Sequence, residues 1–238
     1  MVEPSARFED LKIPVREEIH GLSEVSGVLG TPRWWPTGSR VGVVLAHDSS
    51  SDMNDPMVEA LHRNLTEQRY LTLRFNFPFA EAQKKRPDAM PVLRRTLQAA
   101  IGALARDPTA APAHLFLGGT GLGAQVAAEL STSRVRVDGL MLLAYPLHPS
   151  GKPEKARPDQ LYRIVSPLLF VQGTRDRRCD LDLLRRILIR VGAPTTLHMS
   201  DEADHRFNVP KRGNRDPEDV HQELLMTVDT WIQKVLDQ

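Results

Sequence analysis

Along the chain, short runs of consecutive apolar residues alternate with stretches in which apolar residues return every third or fourth position. Val41-Gly42-Val43-Val44-Leu45-Ala46 is unbroken, as expected of a strand covered on both faces. Asp55-Pro56 then supplies an N-cap and a proline at the first helical position, and Met57, Leu61 and Leu65 mark one helical face. Residues 70–75 predict the next strand, Leu93, Leu97, Ile101 and Leu104 a second helix face, and residues 114–117 a short strand. That strand runs straight into Gly118-Gly119-Thr120-Gly121-Leu122-Gly123 and a small-residue helix over 124–130. Further strands are predicted over 137–144, 168–171 and 195–199. Between the last two, Leu184, Ile187, Leu188 and Val191 line a helix stopped by Gly192 and Pro194, and a final helix opens at Asp216-Pro217. Such alternation implies an α/β fold with a mostly parallel central sheet, right-handed crossovers and helices on both faces. Residues 8–32 are β-rich but irregular and predict an antiparallel edge hairpin. The chain therefore reads as a single domain over 1–238, residues 1–40 forming an N-terminal β-rich edge segment and 41–238 the core.

Composition narrows the classes of partner. Apolar residues make up 41% and charged residues 26% of 238, an ordinary globular balance. Lys plus Arg (31) nearly cancels Asp plus Glu (30), which leaves no general footprint for nucleic acid or an anionic membrane. The start carries no basic stretch followed by an apolar run, so no signal peptide is expected, and a cytoplasmic location is. The single cysteine, Cys179, excludes an internal disulfide and a multi-cysteine zinc site. Neither metal nor cofactor is expected.

In an open parallel sheet, ligands sit beyond the carboxyl ends of the strands. The loop 118–123 has the layout of a nucleophile elbow, a strained strand-turn-helix junction framed by small residues. Its frame is Gly119-Thr120-Gly121-Leu122-Gly123, with glycine in the slot where such an elbow holds serine. Asp176 follows one strand and His205 follows the next, so acid and histidine come after the elbow in the order Ser…Asp…His of an α/β-hydrolase. A carboxylate beside an imidazole fixes its tautomer and stabilises the imidazolium formed in proton transfer. Asp176 and His205 are expected to be hydrogen-bonded, with Gly121 nearby and His47, Asp48, Ser49, Thr120 and Leu122 around a pocket.

With those blocks in place the sequence resembles the α/β-hydrolases of the dienelactone-hydrolase-like branch, the testis-expressed-protein and NSL-complex-subunit type. The resemblance covers about 41–236. It is carried by Leu73-Arg74-Phe75-Asn76-Phe77-Pro78, by Tyr145-Pro146-Leu147-His148-Pro149 with Gly151-Lys152-Pro153, by Leu169 through Asp176, and by Asp204-His205 with Val209-Pro210-Lys211-Arg212. It implies a compact sheet-and-helix domain with a serine-hydrolase triad. Two departures stand out. The family's elbow serine is Gly121 here, and its glycine- and alanine-rich loop after His47 is Asp48-Ser49-Ser50-Ser51-Asp52. A carboxylate beside an oxyanion site opposes the charge that ester hydrolysis must stabilise, and loss of the triad serine costs about 10⁶ in turnover. The implied function is a degenerate serine hydrolase with a vestigial Asp176–His205 dyad, a pseudoenzyme that binds a small-molecule ligand or a protein partner. Because Gly121 can hold an elbow backbone at positive φ without strain, restoring serine there is expected to keep the fold at a cost of about 1 kcal/mol or more.

The alternative is an active ester or lactone hydrolase using a dyad-activated water or a displaced nucleophile: Thr120, Ser49, Ser50, Ser51, or Cys179 with its neighbours Arg175, Arg177 and Arg178. A second alternative reads Gly119-x-Gly121-x-x-Ala124 as a dinucleotide fingerprint, although no acidic residue ends the following strand. The cluster His198, Asp201, Glu202, Asp204 and His205 lacks zinc-type spacing, and Lys84-Lys85-Arg86 is too short a basic run to indicate nucleic acid.

Overall fold

The computed structural model describes residues 6–34, 40–106, 111–133 and 135–237. Two long strands, β1 (Arg7–Ile19) and β2 (Leu22–Thr31), form an antiparallel hairpin at one edge of an eight-stranded sheet. The remaining strands are β3 (Val41–Ala46), β4 (Leu71–Phe75), β5 (His114–Thr120), β6 (Gly139–Leu143), β7 (Leu168–Gly173) and β8 (Thr195–Ser200). Their order is β1-β2-β4-β3-β5-β6-β7-β8, parallel from β4 onward, with β2 joining β4 antiparallel. The helices are α1 (Pro56–Glu67), α2 (Pro78–Glu81), α3 (Met90–Leu104), α4 (Leu122–Ser131), α5 (Leu181–Leu188) and α6 (Pro217–Leu236). None of the described helices is long and apolar enough to cross a membrane.

The period-two alternation of the central strands divides the core into two layers. Val44, Ala46, Leu140, Leu142, Leu168 and Phe170 face α3, α4 and α5, meeting Leu93, Leu97, Ala127 and Leu184. Val43, Leu45, Met141, Leu143, Leu169 and Val171 face α1 and α6, meeting Leu61, Leu65, Leu224 and Trp231. Each such Val, Leu, Met or Phe side chain, fully removed from water, contributes about 1.5–3 kcal/mol. The expected caps form: the Asp55 carboxylate accepts from the Met57 and Val58 amides, and Asp216 accepts from Glu218.

Strand limits differ from the sequence reading for identifiable reasons. Tyr70 stays outside β4 because its amide donates to Leu65 O, closing the turn after α1. The strand expected over 137–144 shortens to β6, since the Asp138 carboxylate turns aside to accept from the Leu115 amide and Ala144 bends the chain at φ 47°. β5 runs three residues beyond 117, because Gly118 and Gly119 pair in register with Leu45 and Ala46. This extension carries the glycine turn to the carboxyl edge of the sheet, beside the loops that follow β3, β7 and β8.

Candidate active site

The chain leaves β5 at Thr120 and enters α4 at Leu122 through the single residue Gly121, whose backbone lies at φ 52°, ψ −115°. That conformation is nearly free to glycine and strained for any residue with a Cβ. The turn is tight because α4 lies close against β3: a Cβ on Gly123 would stand 2.3 Å from Ala46 O, and one on Gly119 would stand 2.5 Å from the same atom.

The loop after β3 delivers Asp48 into this turn. Its Oδ1 accepts from the Leu122 amide at 2.8 Å, and a Cβ placed on Gly121 would lie 2.0 Å from that oxygen, 2.4 Å from Asp48 Cγ and 2.9 Å from Asp48 Cβ. The carboxylate thus fills the volume that a side chain at 121 would need and takes up the first free amide of α4. Ser49 donates to Oδ1 at 3.3 Å and Ser50 to Oδ2 at 2.9 Å, while Arg206 donates to the Ser50 hydroxyl. Burial by itself would raise the Asp48 carboxyl, but the Leu122 and Ser49 amides, the Ser50 hydroxyl and nearby His205 outweigh it and hold it below the ordinary carboxylate range. The loop's base is fixed by His47, wholly buried, whose Nδ1–H donates to Asp48 O at 2.8 Å and whose Nε2 accepts from the Phe77 amide at 3.0 Å. Both partners suit a neutral ring, and burial lowers its pKa accordingly.

Opposite Asp48, the loops after β7 and β8 bring Asp176 and His205 together. His205 Nδ1 lies 2.8 Å from Asp176 Oδ2. Asp176 is itself held by Gln172 Nε2 at 2.6 Å and by the Arg178 amide at 2.8 Å. The other ring nitrogen, Nε2, is 3.2 Å from Arg178 Nη1 and 4.0 Å from Asp48 Oδ2. A guanidinium only donates, so Nε2 is the acceptor and the proton sits on Nδ1, facing Asp176. Carboxylate, imidazole and carboxylate thus form one row across the mouth of the turn.

A cleft of about 880 Å³ opens beside this row. Of the pocket residues expected from sequence, Asp48, Ser49 and Leu122 line it. His47 and Thr120 are buried behind its wall, and the Thr120 hydroxyl has no hydrogen-bond partner. Met90, Leu147 and Pro146 supply apolar wall, and Arg178, Arg157 and Lys155 line it with positive charge. Arg178, which contacts His205 Nε2 at 3.2 Å and lines the cleft, is a candidate site residue beyond those expected from sequence. It had entered only as a neighbour of Cys179, although its position two residues beyond Asp176 in one loop was the available signal.

Ser49, Ser50, Ser51 and Cys179 meet specific obstacles as displaced nucleophiles. Ser49 and Ser50 spend their hydroxyls on the Asp48 carboxylate and Ser51 donates to Asp48 O. Cys179 is buried among apolar side chains, and burial with Asp176 close by pushes its thiol up to about 12, which suppresses the thiolate. The dinucleotide reading fails electrostatically, because a pyrophosphate at the start of α4 would meet the Asp48 carboxylate on the Leu122 amide. The acids near His205 are committed elsewhere: His198 pairs with Glu223 at 2.5 Å, Asp201 accepts from Thr174, and Asp204 accepts from the Arg206 and Asn208 amides. Among the described residues no group of three or more His, Cys, Asp or Glu is arranged to hold a metal ion.

A family model described as an alpha/beta hydrolase domain matches residues 39–233. A dienelactone hydrolase from Anabaena variabilis has the same fold, with TM-score 0.69, 19% identity, and 94% of this chain and 97% of that one covered. A lidless α/β serine hydrolase from Xanthomonas campestris aligns at TM-score 0.70 with 18% identity over 94% of both chains. An esterase from Pyrococcus furiosus aligns at TM-score 0.74 with 15% identity, covering 98% of this chain and 92% of that one.

Proposed function

This chain belongs to the alpha/beta hydrolase domain family, and from that premise we propose that it is a degenerate serine hydrolase, closed to acyl transfer through a serine and retaining a small-molecule cleft. Gly121 stands at the nucleophile position, and Asp176 with His205 is the acid–imidazole pair left from the triad. One observation carries the reading: the Asp48 carboxylate lies on the Leu122 amide at 2.8 Å and in the space of a residue-121 side chain. In a serine hydrolase of this fold the amide after the nucleophile stabilises the oxyanion. Here that donor is spent on a permanent negative charge.

The consequences add. Without the nucleophile, turnover falls by about 10⁶, and the residual 10³–10⁴ over water depends on an intact oxyanion hole. With the Leu122 donor occupied, that residue shrinks as well, since one such donor is worth about 10²–10³. The cleft wall of Met90, Leu147, Arg178, Arg157 and Lys155 remains available for a ligand with an apolar body. The test is labelling of the wild-type protein by a fluorophosphonate probe together with p-nitrophenyl acetate hydrolysis. No label and no turnover above buffer are expected; labelling of any serine that abolishes ester turnover overturns the reading.

A further inference from the structure

We infer that the cleft binds a phosphate monoester with an alkyl body, the phosphate on Lys155, Arg157 and Arg178 and the alkyl chain on Met90, Leu122 and Leu147. The inference rests on the reading of a cleft kept without serine chemistry and deepens it, because it names the class of ligand.

Charge is the first argument. The chain as a whole is almost neutral, with 31 Lys and Arg against 30 Asp and Glu. The cleft is not: Lys155, Arg157 and Arg178 line it against the single carboxylate of Asp48. That carboxylate pairs with none of them, since Oδ1 is on the Leu122 amide and Oδ2 on the Ser50 hydroxyl. His148 adds no charge, because its Nδ1–H donates to Pro149 O at 2.9 Å and its Nε2 accepts from the Asp180 amide at 2.8 Å. Among the described residues Lys155 and Arg157 form no side-chain hydrogen bond or ion pair, and the Arg178 guanidinium meets the neutral His205 ring in place of a carboxylate. The excess of two positive charges matches a phosphate monoester, which carries about −1.5 to −2 near pH 7, better than it matches a carboxylate.

The second argument is that the cations stand on an ordered wall. The segment holding Lys155 and Arg157, between β6 and β7, is tied at both ends. At one end the Gly151 amide donates to Arg177 O at 2.8 Å, and at the other Gln160 Nε2 donates to the hydroxyl of buried Tyr145. Arg178 is fixed through its backbone, its amide donating to Asp176 Oδ1 at 2.8 Å and its carbonyl accepting from the His148 amide at 3.1 Å. Backbones held in this way lower the ordering cost of binding. The apolar part of the wall is the third argument. Met90 at the start of α3, Leu122 at the start of α4 and Leu147 after β6 supply it, and about 880 Å³ has room for a head group and a chain. An inorganic anion would leave that surface wet, and an alkyl alcohol would leave the cations unpaired.

Octyl phosphate is the probe, followed by titration calorimetry on the wild-type protein. Saturable binding of one molecule per chain is expected, about tenfold or more tighter than inorganic phosphate. Octanoate should bind more weakly than octyl phosphate, and octanol and octyltrimethylammonium should not bind. Arg157→Gln and Arg178→Gln should each weaken octyl phosphate by about tenfold, the scale of a hydrogen bond to a charged group. Arg157 is exposed, so its substitution keeps the test open if Arg178→Gln does not fold. No binding of octyl phosphate, octanol, octanoate or inorganic phosphate binding as tightly as octyl phosphate, or an affinity unmoved by both substitutions overturns the inference. Calorimetry reads binding without turnover, so such a failure leaves closure of the serine route standing if the fluorophosphonate does not label the protein. Labelling of a catalytic serine overturns that reading instead.

Discussion

At the level of single residues, the site is held by groups whose protonation is fixed by what surrounds them. Asp48 stays ionised in a half-closed position because two amides and a hydroxyl face it, whereas Cys179, a few residues from Asp176, stays protonated because its surroundings are apolar. The same logic makes His62 the residue whose effect on stability is easiest to read. It is buried between α1 and the β-hairpin, its Nε2 has no hydrogen-bond partner, and burial, reinforced by Arg74, lowers its pKa to about 4. The unfolded chain takes up this proton near pH 6.5, whereas the native protein resists until about 4. Between those values the unfolded state binds more protons, so stability falls as the pH drops through the window, by on the order of 3 kcal/mol for this group. Urea midpoints at pH 7 and pH 5 should therefore differ clearly for wild type and less for His62→Gln; equal pH dependence in both would show that another group carries the effect.

Among the elements, the β5–α4 junction sets the geometry of everything else. Gly123 lies where α4 touches the backbone of β3, and its missing Cβ would approach Ala46 O at 2.3 Å and Ala46 C at 2.6 Å. Backbone atoms of a central strand cannot yield as a side-chain tip can. Gly123→Ala should cost about 3 kcal/mol, at the upper end of overpacking effects, measured by equilibrium urea denaturation. A loss below about 0.5 kcal/mol, the scale of a neutral surface change, would mean that α4 has room to shift. Junctions of this kind were legible in the sequence: unbroken apolar runs marked the central strands, Asp-Pro pairs marked α1 and α6, and chain order at strand ends paired Asp176 with His205. What could not be read was the direction of single side chains in space. Asp48 is 74 positions from Leu122, and nothing in either segment says that the carboxylate turns onto that amide instead of into solvent. The place of Arg178 in the Asp176 loop was legible, but its contact with His205 was not, since that depends on how the loop after β7 meets the loop after β8.

Across the whole molecule, positions 48 and 121 behave as one unit. The expectation that serine at 121 would cost only its backbone strain is corrected by the position of Asp48. The clash reaches Asp48 Cβ as well as its carboxylate, so rotation of the side chain does not clear it. Gly121→Ser alone should lose about 3 kcal/mol or more, from positive-φ strain and overpacking together. Asp48→Gly vacates that volume and frees the Leu122 amide. The two changes made together should therefore cost less than the sum of the single changes, and only the double variant joins a serine hydroxyl, a free oxyanion donor and the His205–Asp176 pair. The most direct measurement is p-nitrophenyl acetate hydrolysis across wild type, Gly121→Ser, Asp48→Gly and Asp48→Gly/Gly121→Ser. Turnover should remain at background in the first three proteins and rise above it in the double variant, which should also take up the fluorophosphonate at Ser introduced at 121. Wild-type hydrolysis as fast as that of the double variant would contradict the claim that Asp48 and Gly121 together close the serine route.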